Sequence, residues 1–240
     1  MTQEKIPQHI AFIMDGNGRW ATAQGKRRLE GHRQGIETVK AVLEAMTERA
    51  IPFATFYAFS TENWKRSTEE VHGLFNLMRT YFKKHMDELN EKGVRVRFIG
   101  NRSRDNAQRL ERDILDIMDD VEAKTAHNTK ITAQFAINYS GRDELTRAVQ
   151  KIAAQPPAEI TPETITQALD TADVPDPDLL IRTSGEQRIS NYLLWQLAYA
   201  EFIFHPHHWP AFTVDDLDAC LDQFAGRERR FGALPSRVAE

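Results

Sequence analysis

An α/β fold, with one mostly parallel sheet of about six strands flanked by helices, is predicted by three observations. Short apolar runs recur along the chain at Ile10–Met14, Phe53–Phe59, Val94–Ile99, Ile131–Ile137, Leu179–Ile181 and Phe202–Phe204. Longer stretches of helical periodicity separate them, the rhythm expected of β-α-β units. The length of 240 residues suits one large domain with a good core and does not demand two, so residues 1–240 are read as one unit.

Each element has a local reason. The first run, Ile10–Met14, empties into the loop Asp15-Gly16-Asn17-Gly18-Arg19-Trp20. From Gly16 to Gly31 the chain is charged and reads as irregular. After the second strand, Ser67-Thr-Glu-Glu70 reads as a capping box that opens a helix running to about Lys92. That helix carries Val71, Leu74, Phe75, Met78, Phe82, Met86 and Leu89 at helical spacing, a stripe whose default explanation is core packing. Gln155-Pro156-Pro157-Ala158 is the clearest loop, but it sits inside one alternating pattern and divides no domain. Thr161-Pro162 places a cap before a first-turn proline. Thr213 begins a last helix towards Arg230.

Composition narrows the function. The chain is 41% hydrophobic and 28% charged with a formal net charge of -4, ordinary for a globular protein and unlike the basic surface a dedicated nucleic-acid binder needs. The one cysteine, Cys220, excludes an intramolecular disulfide framework and fits a reducing compartment. The start, Met1-Thr-Gln-Glu-Lys5, is polar, and no stretch reaches the roughly 20 apolar residues of a membrane span. The expectation is a cytoplasmic protein.

In open parallel sheets, ligands bind outside the carboxyl ends of the strands. Four such ends lead into polar, cationic loops: Asp15–Trp20, Ser60–Arg66, Asn138–Arg142 and Arg182–Arg188. Glycines let backbone N–H groups approach an anion, and arginine forks match phosphate geometry. Asp15 fits beside an anion if a divalent cation lies between them, since Mg²⁺ is commonly held by one or two carboxylates plus substrate phosphates. Arg27, Arg28 and His32 can hold a diphosphate, and Arg182 and Arg188 flank Thr183-Ser184-Gly185, a possible anion nest. The bland alternatives are a solvated basic loop, a simple turn with a salt bridge to Glu186, and packing roles for Trp20 and Trp64.

Three other chemistries fit less well. Gly16-Asn-Gly18-Arg-Trp-Ala21 formally matches a dinucleotide fingerprint, but no acid follows at about 20 residues on a second strand. His205-Pro-His207-His208 invites a zinc reading, yet no cysteine or acid completes a tetrahedral set at standard spacing, so ordinary histidines are expected. Cys220 has no signature around it. Walker, nucleophile-elbow and H-E-x-x-H motifs are absent from the sequence.

Taken together, the chain resembles the cis-prenyltransferase family. The matching stretches are His9–Ala21, Gly31-His32-Arg33 with Gly35, Tyr57–Trp64 with Arg66, Phe135–Arg142, Asp178–Glu186 and Arg188–Gln196. They run in order over nearly the whole chain. The resemblance implies extension of an allylic diphosphate, farnesyl diphosphate, by successive isopentenyl diphosphates. The product would be a long cis-polyprenyl diphosphate such as undecaprenyl diphosphate, the lipid carrier for bacterial wall glycans. It also implies Mg²⁺, a homodimer, a hydrophobic tunnel that the stripe on the long helix would help to line, and transient contact with the inner membrane face for product release.

Roles are carried over by the resemblance onto matching positions. Asp15 would hold Mg²⁺, with Glu201 as a second metal-associated acid. Gly16, Asn17, Gly18, Arg19 and Trp20 would cradle the allylic diphosphate, with Arg28, His32 and Arg66 completing its clamp. Arg182, Arg188, Ile189 and Ser190 would bind isopentenyl diphosphate. Ser60, Thr61, Glu62, Asn63 and Trp64 would line the reacting centre, with Asn63 at the position associated with proton removal. An amide has no useful proton affinity near neutral pH, so a diphosphate oxygen positioned through Asn63 is the easier base. Arg230-Phe-Gly232 resembles a C-terminal motif that reaches an active site. Gln187 stands where some relatives carry a metal-binding histidine, which leaves that contact unassigned, and Ser184 stands where many have glycine. Asp15→Ala is expected to reduce turnover strongly while the fold survives, at a stability cost of about 0.5 kcal/mol or less, as for an exposed loop acid. The alternatives are a non-catalytic partner subunit, which would have lost parts of this set, and a dinucleotide-dependent oxidoreductase.

Overall fold

The structure, a computed structural model, describes residues 6–103 and 110–227. All six expected strands form: β1 (His9–Ile13), β2 (Phe53–Ser60), β3 (Val94–Ile99), β4 (Ile131–Tyr139), β5 (Leu179–Arg182) and β6 (Glu201–Phe204). They lie in the order β3-β4-β2-β1-β5-β6, and every neighbouring pair is parallel. The helices are α1 (Asn17–Ala23), α2 (Arg28–Glu48), α3 (Thr68–Glu91), α4 (Arg112–Thr125), α5 (Gly141–Ala154), α6 (Pro162–Ala168) and α7 (Val214–Ala225).

The chain leaves β1 towards β2 on one side, while β5 and β6 lie on the other. The carboxyl ends of β1 and β5 therefore flank a topological switch point, where such sheets open a crevice. Every residue of β1 is buried. Phe12 stacks on Phe56 with ring centroids 5.1 Å apart, and Trp209 leans on Phe12 at 5.8 Å while its indole N–H donates to the Gly35 carbonyl at 2.8 Å. This packing makes β1 a stiff support for the segment that leaves its carboxyl end.

That segment is helical, not irregular. Gly16 takes φ +96°, and a Cβ there would lie 2.5 Å from His208 Nδ1 and 2.7 Å from Ser184 Oγ. Only glycine fits this sharp turn, and α1 begins at the next residue. The charged run Lys26-Arg27-Arg28 that made the segment read as irregular is exposed and lies beyond the end of α1, up to the first residue of α2. At Gly31, α2 crosses α1 so closely that a Cβ would overlap the Asn17 carbonyl oxygen.

Ser67 caps α3 by accepting from the Glu70 N–H at 3.3 Å. The returning half of the box is absent because the Glu70 carboxylate turns to Arg28 and Arg66 instead. The apolar stripe of α3 divides: Val71, Phe75, Phe82 and Leu89 are buried in the core, whereas Leu74 and Met78 are only partly covered and line a cavity. Thr161 and Thr213 open α6 and α7 with reciprocal capping boxes. Helix α7 stops at Ala225, short of the expected Arg230, with Gly226 at its C-cap. Arg230 and Gly232 lie outside the described residues.

Candidate active site

Asp15 lies just beyond β1, and in the sheet Ile13 pairs with Arg182, the last residue of β5. The two side chains meet: Arg182 Nη2 donates to Asp15 Oδ2 at 2.9 Å. Arg19 reaches Oδ1 at 3.1 Å, and the Gly16 N–H donates to the same oxygen at 2.7 Å. The Asp15 carbonyl accepts from Thr183 Oγ1 at 2.8 Å and from the Trp209 N–H at 2.9 Å. Burial pushes the Asp15 carboxyl up, but the Arg182 and Arg19 guanidiniums outweigh it and hold the group below its ordinary value. Asp15 is thus an ionised carboxylate fixed to two strands.

Arg182 is nearly buried, with 4% of its side chain exposed. Its Nη1 donates to Ser190 Oγ at 2.8 Å and to the Arg188 carbonyl. Its Nε is buried without a partner among the described residues. A buried cationic donor with spare capacity is costly unless an acceptor arrives. Arg188 is exposed and pairs with Glu186, which also takes Arg19 at 3.0 Å.

A second cationic group stands across the cavity mouth. Glu70 gathers Arg28 at 3.3 Å and Arg66 at 3.1 Å, with His32 Nε2 at 3.8 Å, beyond hydrogen-bond reach. Burial, joined by the neighbouring Arg66 and Arg28, pushes the His32 imidazole down to about 4 although Glu70 opposes it. The ring is neutral near pH 7, and its buried Nε2 has no hydrogen-bond partner among the described residues. Gly18 lies beneath this group, where a Cβ would come within 2.6 Å of the Arg28 guanidinium carbon.

Both groups open on one cavity of about 370 Å³. Its polar end includes Asp15, Gly16, Asn17, Gly18, Arg19, Arg28, His32, Arg66, Arg182 and Ser190. Its other wall is apolar, with Val39 from α2, Phe59 and Phe135 from the sheet, and Leu74, Met78 and Phe82 from α3. Tyr81 lines this cavity and also a second one between α2 and α3, which reaches Leu89 and Val94. Tyr57, Ser60 and Asn63 stand between the polar and apolar walls. The end of β2 shifts register against β4 there, which re-aims its last side chains. Asn63 Oδ1 accepts from the Ser60 N–H at 3.1 Å, so the amide offers its NH₂ donors to the cavity.

Other expected site residues fall elsewhere. Trp64 packs between Phe59 and Phe75 and donates to Asn138 Oδ1 at 2.8 Å. Trp20 lies under the Lys26 ammonium, 5.1 Å from the ring centroid. Glu62 is exposed and bonded to Asn191, and Thr61, Arg188 and Ile189 do not line the cavity either. Glu201 does not meet Asp15 within one chain. It opens β6 opposite Leu179, about 10 Å of strand away from the carboxyl end, and pairs with Arg227 at 2.7 Å. Ser184 keeps its turn at φ +79°, with its N–H bonded to the His207 carbonyl and its Oγ 2.6 Å from His208 Nδ1.

Two acids to which the sequence assigns no site role gather cationic or metal-ligating side chains around them. Glu70 carries a signal, but that signal reads as a helix cap. Asp216, on the first turn of α7, completes with His205 and His207 a set of three possible metal ligands. No acid stands at standard spacing beside these histidines in the sequence; Asp216 arrives from another element, and three residues still fall one short of a tetrahedral set. Cys220 stays a packing residue, its thiol pushed up to about 12 by burial.

Comparison with known proteins fits this geometry. A family described as "Putative undecaprenyl diphosphate synthase" matches residues 13–232. An isoprenyl transferase of Agrobacterium fabrum is 47% identical over 99% of this chain and 97% of its own length. One from Aquifex aeolicus is 45% identical over 96% and 97%. Among solved structures, lavandulyl diphosphate synthase from Lavandula x intermedia, in complex with dimethylallyl diphosphate, superposes with a TM-score of 0.90 at 33% identity, covering 96% of this chain and all of that one. A probable undecaprenyl diphosphate synthase from Campylobacter jejuni gives 0.80 at 33% identity over 94% and 98%.

Proposed function

Because the chain belongs to the undecaprenyl diphosphate synthase family of cis-prenyltransferases, we propose that it extends farnesyl diphosphate with successive isopentenyl diphosphates to a long cis-polyprenyl diphosphate, undecaprenyl diphosphate. One observation carries the reading: a single cavity has an arginine-rich end around Asp15 and an apolar wall from α2, α3 and the sheet. That polarity matches a ligand with a diphosphate head and a hydrocarbon tail. The unpartnered Arg182 Nε and His32 Nε2 are the donors that an incoming diphosphate satisfies.

The allylic diphosphate sits over Gly16–Arg19, between Arg28, His32 and Arg66. Isopentenyl diphosphate takes Arg182 and Ser190, with Arg188 swinging from Glu186. Asp15, ionised and facing both heads, fits a divalent cation, taken here as Mg²⁺, which is commonly held by a carboxylate plus substrate phosphates. When bound, the ion supplies charge neutralisation on the departing diphosphate. The carbon–oxygen bond of the allylic partner breaks, a carbon–carbon bond forms, and a proton leaves the isopentenyl carbon for a diphosphate oxygen. Asn63 orients that oxygen through its NH₂, because its carbonyl is already engaged by Ser60. The tail grows along Leu74 and Met78 towards Tyr81, which bounds its room. Two chains associate in this reading. No helix among the described residues is long and apolar enough to cross a membrane; in this reading the chain meets the inner membrane face only transiently, for product release.

The test is incubation of the purified chain with farnesyl diphosphate, labelled isopentenyl diphosphate and Mg²⁺. The expected result is a ladder of products in five-carbon steps ending in a long chain. Absence of any extension overturns the proposal.

A further inference from the structure

We propose that His205, His207 and Asp216 form a binding site for a zinc-class transition-metal ion that ties the end of β6 to α7. Each of these side chains offers one ligand atom, and the three atoms lie within 4.8 Å of one another. His205 Nε2 is 3.5 Å from Asp216 Oδ1, and His207 Nδ1 is 3.0 Å from Asp216 Oδ2. A tetrahedral zinc shell holds its ligand atoms about 3.4 Å apart; the two short distances run to different Asp216 oxygens and the three atoms spread to within 4.8 Å, so the set must draw together on binding. The exposed His207 ring can move by rotation; His205 and Asp216 are mostly covered, with 14% and 17% of their side chains exposed.

His205 Nδ1 accepts from the His207 N–H at 3.3 Å, which puts the ring proton on Nε2; to ligate an ion through Nε2 the ring gives up this long bond and carries its proton on Nδ1. The ring stands edge-on to Phe212, centroids 5.1 Å apart. Asp216 Oδ2 accepts from the Thr213 N–H at 2.9 Å, and this bond can persist while Oδ1 binds an ion. Such an outer bond fixes the carboxylate position. The backbone is pinned as well: the His205 N–H donates to the Arg182 carbonyl, and the carbonyls of His205 and His207 accept from the N–H groups of Gly185 and Ser184. Two imidazoles and one carboxylate select zinc, cobalt or nickel over Mg²⁺, which prefers oxygen ligands. The site is therefore chemically separate from Asp15, yet its carbonyls hold the loop after Arg182, so an occupied site stiffens one wall of the cavity mouth.

The experiment uses full-length, untagged protein stripped with chelator and titrated with zinc chloride by calorimetry in excess Mg²⁺. The expected result is one zinc per chain at micromolar affinity or tighter. His207→Ala, which removes an exposed ring and leaves the fold intact, should weaken binding at least about tenfold, as should Asp216→Asn, whose amide oxygen can still cap Thr213. Asp15→Ala should leave it unchanged. Cobalt(II) should give the intense visible bands of tetrahedral coordination in the parent and lose them in His207→Ala. Absence of tight zinc binding to the parent, or binding that survives both His207→Ala and Asp216→Asn, overturns the proposal.

Discussion

Asp15 and Glu70 are both carboxylates embraced by arginines at one cavity mouth, and they are built differently. Asp15 hangs from a fully buried strand, takes a backbone N–H, and pairs with Arg182, itself strand-borne and nearly buried. Glu70 stands on the first turn of α3 and pairs with Arg28, 56% exposed, and Arg66, 34% exposed. The first arrangement is rigid and stays charged whatever binds. The second rests on long side chains that an incoming anion can turn. In the proposed function, Asp15 acts on the ligand, whereas Glu70 keeps arginines in place until the ligand takes them.

The largest predicted effect breaks the first arrangement. Asp15→Ala should lower kcat by about 10³-fold or more, in the range of losing a principal transition-state stabiliser. It should also destabilise the fold by about 1–3 kcal/mol, read from chemical denaturation, because Arg182 is left buried without its acid. That exceeds the roughly 0.5 kcal/mol expected of an exposed loop acid, since half-burial and the Arg182 bond are not visible in the sequence. Next comes Arg182→Lys, which keeps the charge and loses the fork that joins Asp15 to Ser190. We expect kcat/KM for isopentenyl diphosphate to fall about 10²-fold in steady-state assays, with KM for the allylic partner little changed.

The two arrangements should also separate by pH. His32 beside Glu70 titrates near 4 in the folded chain against 6.5 in the unfolded one. The unfolded state takes up that proton first, so the stability tied to His32 is full above about 6.5 and is lost as pH falls towards about 4. His9, buried and also lowered to about 4, contributes in the same window. Asp15, lowered below 3.8, contributes stability that is lost only at still lower pH. Urea midpoints measured from pH 7 to 4 should fall by an amount worth about 3 kcal/mol for His32, and His32→Gln should flatten the slope. The smallest effect is the sharpest for the comparison. Glu70→Gln frees Arg28 and Arg66, so farnesyl diphosphate should bind about threefold to tenfold tighter in direct titration. Weaker binding would show that Glu70 positions the arginines more than it competes for them.

The sheet is legible in the sequence because buried parallel strands are continuous apolar runs, and β3 is bounded correctly to the residue. Helix α1 is not legible, because its start depends on the left-handed turn at Gly16 and it is only 7 residues long. For the site, the loops after β1, β2 and β5 point to the cavity mouth, since the position of strand ends follows from the alternation alone. Contacts between distant segments are hidden. Glu70 with Arg28 spans 42 residues, and nothing in local spacing links them. The same holds for Asp216, supplied to His205 and His207 by a helix that begins after them. Trp64 sits in a motif that suggests a ligand and instead packs against Phe75, because α3 folds back over the end of β2.

Gly31 touches no substrate in the proposed arrangement, yet α1 and α2 cross on it with the Asn17 carbonyl where a side chain would be. Any other residue there pushes α1 away from α2 and carries Asn17 and Gly18 out of line with Arg28. A genetic screen for inactive alleles should therefore recover Gly31→Ala or Gly31→Ser beside Asp15 variants. Such alleles should be temperature-sensitive, and second-site suppressors should map to the α1–α2 contact rather than to the arginines.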